Sequence, residues 1–143
     1  SWNTLDEKGT WTPVLTFSVP GDLSVVYSVQ VGTYIKIGRL VFVTFVINTS
    51  TFTHTTASGA LRITGLPFTA DAVTNNLHSG GGRWSGITKA NYTDISSRID
   101  ANLTIVIFLA SGSGQAASSI SAADMPTGGS VTLHFSSMYM AAS

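Results

Sequence analysis

Apolar and polar residues alternate with a period of two through most of this 143-residue chain, and this pattern constrains the fold more than any other feature. Residues 15–19 and 25–31 show it most clearly, with Leu, Phe, Val and Tyr separated by Ser, Thr and Gln. Successive side chains of a strand point to opposite faces, so the spacing indicates half-buried strands. No stretch has the spacing of an amphipathic helix, and residues 118–124 are at most one helical turn before Pro126.

The most apolar segment is residues 40–47, which contains only Leu, Val, Phe, Thr and Ile. It follows a turn at Gly38 and Arg39. Its β-branched and aromatic residues predict a strand that is buried on both faces. We therefore expect it to be the core strand, with Phe45 near its middle.

Further strand candidates are separated by clusters of Gly, Pro, Asn and Ser. They are residues 33–37, 60–64, 84–89, 95–99, 103–109 and 131–139. About eight to ten strands without an internal repeat predict an all-β, single-domain fold, a jelly-roll-like β-sandwich. Three segments are predicted to be exposed loops, namely residues 49–59, 71–83 and 111–119.

The low charge of the chain excludes several classes of partner. Charged residues make up 10% of the sequence, and seven Lys and Arg balance seven Asp and Glu. No long-range field would steer the protein to nucleic acid or to anionic lipid. The longest apolar runs reach only about half of the ~20 residues of a membrane-spanning helix, so we expect no membrane insertion. A weakly charged surface with zero net charge tends to self-associate, which predicts a subunit of an oligomer.

No motif for catalysis or for cofactor binding is present. A glycosidase needs two carboxyl groups about 5 to 9.5 Å apart, whereas the seven acidic residues here are scattered. The sequence has no nucleophile elbow and no nucleotide-binding glycine loop. His54, His78 and His134 have no second ligand at i+2 or i+4, and there is no cysteine. The sequence predicts no enzyme, no cofactor and no metal within one chain, although an axial site built from three chains stays open.

One part of the chain has the residue types that bind sugars. Sugar binding uses an aromatic face against the ring and planar polar groups for the hydroxyls. Three glycines, Gly80-Gly81-Gly82, precede a basic and an aromatic residue, and an Asn-Tyr-Thr-Asp segment follows. The candidate carbohydrate-binding residues are Arg83, Trp84, Asn91, Tyr92 and Asp94. The alternative is that Trp84 and Tyr92 are core residues.

Four short motifs in series resemble the C-terminal module of bacteriophage tail fibres and tailspikes. The first two are residues 9–15, Gly-Thr-Trp-Thr-Pro-Val-Leu, and 32–38, Gly-Thr-Tyr-Ile-Lys-Ile-Gly. The others are residues 63–68, Ile-Thr-Gly-Leu-Pro-Phe, and the closing segment 130–139. Together they cover essentially the whole chain in the same order.

This resemblance implies a β-sandwich that follows a fibre shaft or β-helix, forms a homotrimer about the fibre axis and lies at the distal end of the fibre or tailspike on the virion. Residues 1–10 would then connect to the upstream part, and residues 11–143 would be the trimerisation and receptor-binding domain. Bacterial surface polysaccharide or lipopolysaccharide is the implied receptor, and any depolymerase activity would lie upstream. Trp2 and Trp11 would pack against the shaft or a neighbouring subunit. The alternative is a purely structural trimer clamp or folding aid without a ligand.

Overall fold

The computed structural model describes residues 6–143 and confirms the all-β prediction. These residues form ten strands and a single 3-10 turn, Ala122–Asp124. The strands are β1 (Asp6–Trp11), β2 (Val14–Val19), β3 (Ser24–Ile37), β4 (Leu40–Thr53), β5 (Ser58–Thr64), β6 (His78–Ser85), β7 (Asp94–Ile99), β8 (Ile105–Ser111), β9 (Ser118–Ser119) and β10 (Thr132–Met140). No helix within the described range has the length and apolar character needed to cross a membrane.

The ten strands form one antiparallel sheet that curls over on itself into two layers. Their order is β1-β3-β4-β10-β6-β7-β8-β5-β2, with β9 beside β8. β6 belongs to both layers, because its residues 81–85 pair with β10 whereas residues 78–80 pair with β7. The predicted sandwich around a single core is therefore confirmed, and its two layers are continuous through β6.

The core is a cluster of aromatic rings centred on Phe45 of β4. The Phe45 ring stacks on Phe135 at a centroid distance of 5.8 Å and meets Trp11 and Phe108 edge-on, at 5.9 and 6.3 Å. Phe108 comes from the opposite layer, and its ring lies 5.2 Å from that of Phe135. Offset-stacked and edge-on pairs are the favourable geometries for aromatic rings. Residue 45 is thus in the core strand, as the sequence predicted.

The prediction that residues 40–47 are buried on both faces is wrong for the single chain. Val41, Val43, Phe45 and Ile47 are at most 2% exposed, but Leu40 and Phe42 are 40% and 39% exposed. The segment therefore alternates like an ordinary half-buried strand, although both of its faces carry apolar side chains. Its outer face is left uncovered by any other part of residues 6–143.

Trp11 packs inside the chain, which corrects its expected role against a shaft or a neighbouring subunit. The residue is 8% exposed, and its Nε1 donates a hydrogen bond to the Thr33 carbonyl oxygen at 3.2 Å. Gly32 lies beneath it, where an added Cβ would come within 2.8 Å of the indole. Gly32 makes room for the ring, and β3 runs through this position as one strand where the sequence predicted two segments, residues 25–31 and 33–37.

The segment that contains the three glycines is a strand and not the predicted loop. Residues 78–83 belong to β6, so the predicted loop 71–83 is wrong in its second half. An added Cβ at Gly80 or Gly82 would lie 2.3 Å from the Ser136 carbonyl oxygen or 2.1 Å from that of His134. Glycine lets β6 pass directly against the backbone of β10 as it changes layer. The glycines therefore serve the fold at this crossing.

Several other predicted boundaries shift by a few residues. The predicted loop 49–59 contains the end of β4 and the start of β5, and β6 ends at Ser85 instead of continuing to residue 89. Within the predicted N-terminal connection, Asp6 to Thr10 pair with β3 as part of the sheet. Residues 1–5, including Trp2, lie outside the described range, and the connection to an upstream shaft stays a prediction.

Phe45→Ala is expected to lower the free energy of unfolding by about 3–5 kcal/mol, because it removes a ring that three other rings surround. Chemical denaturation of the parent and the variant measures the difference. Val73→Ala, at a position that is 60% exposed, is the control and should change stability by less than about 0.5 kcal/mol. An unchanged denaturation midpoint for Phe45→Ala would show that the core lies elsewhere.

Gly82→Ala is expected to destabilise the fold by about 1–3 kcal/mol, since the new methyl group would overlap the backbone of β10. Gly81→Ala is the matched control in the neighbouring position, where an added Cβ has no atom within 4 Å. The same denaturation assay compares the two. Equal stability of both variants would contradict the close crossing of β6 over β10.

Candidate functional site

The structure places Arg83 and Trp84 on opposite faces of β6. Arg83 is exposed and lies across from His134 of β10, whereas Trp84 lies across from Leu133 and is half-buried against the core. The guanidinium and the indole are therefore separated by the sheet. They do not form the joint donor and stacking surface that the sequence suggested.

The other three predicted residues lie at a corner beside the β8–β9 connection. Asn91 is an exposed turn residue with a left-handed φ of 72°, and Asp94 is exposed at the start of β7. Tyr92 is half-buried, donates its hydroxyl to the Ala116 carbonyl oxygen at 2.9 Å and has the Lys89 Nζ 5.7 Å from its ring centre. Both Trp84 and Tyr92 pack against the core, as the alternative proposed. Sugar binding by the five residues stays a prediction.

Three carboxylates, those of Asp22, Asp100 and Asp124, hold loops and strand ends together. Arg98 contacts Asp100 through two nitrogens at 2.7 and 3.2 Å, and Lys89 pairs with Asp124 at 3.0 Å. Asp22 accepts hydrogen bonds from the Thr55 hydroxyl and from the amides of Thr55 and Thr56, and these bonds hold the pKa of Asp22 far below its usual value. No group of three or more His, Cys, Asp or Glu side chains within residues 6–143 is placed to hold a metal ion.

A cleft of about 580 Å³ lies between two connections at one end of the sandwich. One wall is the link between β4 and β5, and the other is the segment around the 3-10 turn. The lining residues are His54, Thr55, Ala57, Ser58, Gly59, Ser121, Ala122, Ala123 and Thr127. None of them is Lys, Arg, Asp or Glu. Such a volume is typical of small-molecule sites.

His54 is the most unusual residue of this cleft. It is only 8% exposed, and its ring lies 5.2 Å from Phe17 and 5.9 Å from Phe52, edge-on to both. Its Nε2 is buried and has no hydrogen-bond partner among the described residues. Buried polar atoms normally have a partner, so this nitrogen requires an explanation.

A second surface is the outer face of the layer that contains β1, β3, β4 and β10. Exposed apolar residues of three neighbouring strands form a continuous apolar band there: Ile35 (49%), Ile37 (57%), Leu40 (40%), Phe42 (39%) and Met138 (55%). Phe42 pairs in register with Ile35 on one side and with Met138 on the other. The band is bordered by Asp6 and Lys8 of β1 and by the hydrogen-bonded hydroxyls of Thr33 and Thr44.

The sequence predicted neither the cleft nor the exposed apolar face of β4, although it offered subunit boundaries near His54 or Tyr139 as the alternative sugar site if Trp84 were a core residue. The apolar band has a signal in the sequence, the mostly apolar run of residues 40–47. This run predicts burial on both faces, and such long apolar strands also favour assembly. The cleft has no local signal in the sequence, because its walls are more than sixty residues apart along the chain and meet only through tertiary pairing.

Comparisons with known proteins support the fold. No protein family and no curated protein sequence matches the chain. The crystal structure of the Dettilon tailspike protein is similar to it, with a TM-score of 0.70 and 16% sequence identity. The match covers 95% of this chain and 24% of that protein, so the chain spans about a quarter of the tailspike's length. This likeness shows that the fold of this chain also occurs within a phage tailspike protein.

Proposed function

We propose that the chain is a non-enzymatic module of a bacteriophage tail fibre or tailspike that forms a homotrimer and contacts carbohydrate on the bacterial surface. The observation that carries the proposal is the exposed apolar band on a fold shared with part of a tailspike protein. The distal position on the virion and an upstream shaft belong to the same proposal.

The apolar band is the proposed assembly surface. Contiguous exposed apolar patches on soluble proteins mark interaction sites, and five large side chains here are each at least 39% exposed. Burying one such side chain contributes on the order of 1 kcal/mol. A β-sheet face without charges in its centre suits packing against the same face of other copies.

Further copies of the chain fit this surface better than a different partner does. The chain carries zero net charge, and only 10% of its residues are charged, so little repulsion opposes self-association. Asp6 and Lys8, both at the edge of the band, have opposite signs and could pair between copies. Closed symmetric assemblies are the usual result when identical chains associate through one self-complementary surface.

Contact with carbohydrate is the second part of the proposal. The surface is rich in Ser, Thr, Asn and Gly, whose hydroxyls, amides and backbone groups exchange hydrogen bonds readily with sugar hydroxyls. The competing function, a trimer clamp without a ligand, is favoured by the separation of Arg83 from Trp84 on β6. Depolymerase activity, if the whole protein has it, is assigned to the upstream part.

The assembly proposal predicts a mass of about 45 kDa, three times the 15.0 kDa of one chain, in multi-angle light scattering. Phe42→Asp places a charge in the centre of the band and should shift the mass towards a single chain, because an unpaired charge cannot be buried cheaply. Circular dichroism and denaturation would establish that the variant remains folded.

Val73→Asp is the matched control, since Val73 is 60% exposed and lies outside the strands of this face. It should leave the trimer intact. A parent mass near 15.0 kDa would refute assembly, and a folded Phe42→Asp trimer would place the interface on another surface.

The carbohydrate proposal predicts that the 143-residue chain binds at least one polysaccharide on an array of purified bacterial O-polysaccharides and capsules. Individual sites for hydroxyl-rich ligands are weak, so the signal should fall strongly for the folded, monomeric Phe42→Asp variant through loss of avidity. A trimer that binds nothing on the array would support the structural clamp instead.

A further inference from the structure

We propose that the cleft around His54 is the carbohydrate site and that it takes a neutral, hydroxyl-rich saccharide. The inference rests on the proposed carbohydrate function for the source of the ligand. It differs from the site predicted from the sequence, because none of Arg83, Trp84, Asn91, Tyr92 and Asp94 lines the cleft.

The walls of the cleft are held in place at both ends. At one end Ala60 and Ser121 form a β-bridge, and the Leu61 amide donates to the Ile120 carbonyl oxygen at 2.8 Å. At the other end the Gly128 amide donates to the Phe52 carbonyl oxygen at 2.8 Å. The space between the walls is therefore a fixed feature of the fold, and a preformed site loses little conformational entropy on binding.

By its composition, the lining favours a neutral ligand and suits sugars. It contains no Lys, Arg, Asp or Glu, and four of its nine residues carry hydroxyl groups. Hydroxyls both donate and accept hydrogen bonds, as sugar hydroxyls do. The methyl groups of Ala57, Ala122 and Ala123 offer apolar contacts for the C–H faces of a sugar ring.

Two of these hydroxyls donate hydrogen bonds to carboxylates of residues outside the lining, Asp22 and Asp124. The Thr55 hydroxyl donates its hydrogen to Asp22, and the Ser121 hydroxyl donates to the Asp124 Oδ2 at 3.2 Å. Asp124 is fixed in turn by Lys89. Since their hydrogens are committed, the two oxygens can act towards a ligand only as hydrogen-bond acceptors. This pre-orientation favours a ligand with several hydroxyl donors.

His54 supplies the remaining polar group. A buried nitrogen without a partner is unfavourable, yet a histidine stands edge-on to two phenylalanine rings at this position. A ligand hydroxyl that reaches the imidazole would provide the missing hydrogen bond. Because Nε2 is covered in this structure, we expect the ring to rotate slightly when the ligand binds.

The test measures binding of neutral bacterial oligosaccharide repeat units by the 143-residue chain, first on an array and then by titration of the best binder. Ala123→Trp fills the cleft from an exposed position and should weaken binding at least about tenfold. His54→Phe keeps the ring packing but removes the nitrogens, and it should weaken binding without loss of stability. Ala90→Trp, at another exposed alanine, is the control and should bind like the parent.

Trp84→Ala separates this site from the one that the sequence predicted, and it should retain binding if the variant is folded. If Ala123→Trp and His54→Phe bind as the parent does while Trp84→Ala does not, the cleft proposal is refuted and carbohydrate binding stands. If no neutral oligosaccharide binds the parent, the cleft proposal is refuted, and binding of charged polysaccharides on the wider array then decides the carbohydrate function separately.

Discussion

β4 carries large apolar side chains on both of its faces, and the rest of the structure depends on this constraint. Its inner residues, with Phe45 at the centre, pack the aromatic cluster that joins the two layers. Its outer residues Leu40 and Phe42 are also large and apolar, but nothing in residues 6–143 covers them. A strand with this pattern buries one apolar face within the chain and leaves the other as the surface proposed for association.

The crossing of β6 over β10 explains why the sandwich is one curled sheet. Gly80 and Gly82 allow the two backbones to approach where any side chain would overlap a carbonyl oxygen. The crossing directs Arg83 outward and Trp84 inward, so the same feature that joins the layers separates the two residues expected to bind a sugar. The proposed ligand site lies elsewhere, in the cleft around His54. Its two walls are joined by isolated β-bridges between residues 60 and 121 and between residues 52 and 129.

Much of the fold was accessible from the sequence, because period-two alternation directly reflects the geometry of a half-buried strand. Residues 95–99 and the turn at Gly38 and Arg39 are predicted correctly for this reason. The prediction of a loop at the glycine run, residues 80–82, was wrong. Glycine is common both in loops and where two backbones approach closely, and only the partner strand distinguishes the two cases. The cleft could not be predicted, because the contact between residues 60 and 121 is set by the sheet and has no local signature.

Assembly through the outer face of β3, β4 and β10 is the central claim, and contacts between copies test it most directly. Chains with labelled methyl groups would be refolded together with unlabelled chains, and isotope-filtered nuclear Overhauser spectra would detect only contacts between copies. We expect such contacts at the methyl groups of Ile35, Leu40 and Met138 and none at Val73. Contacts between copies that are confined to other surfaces, or their absence from these methyl groups, would contradict the account.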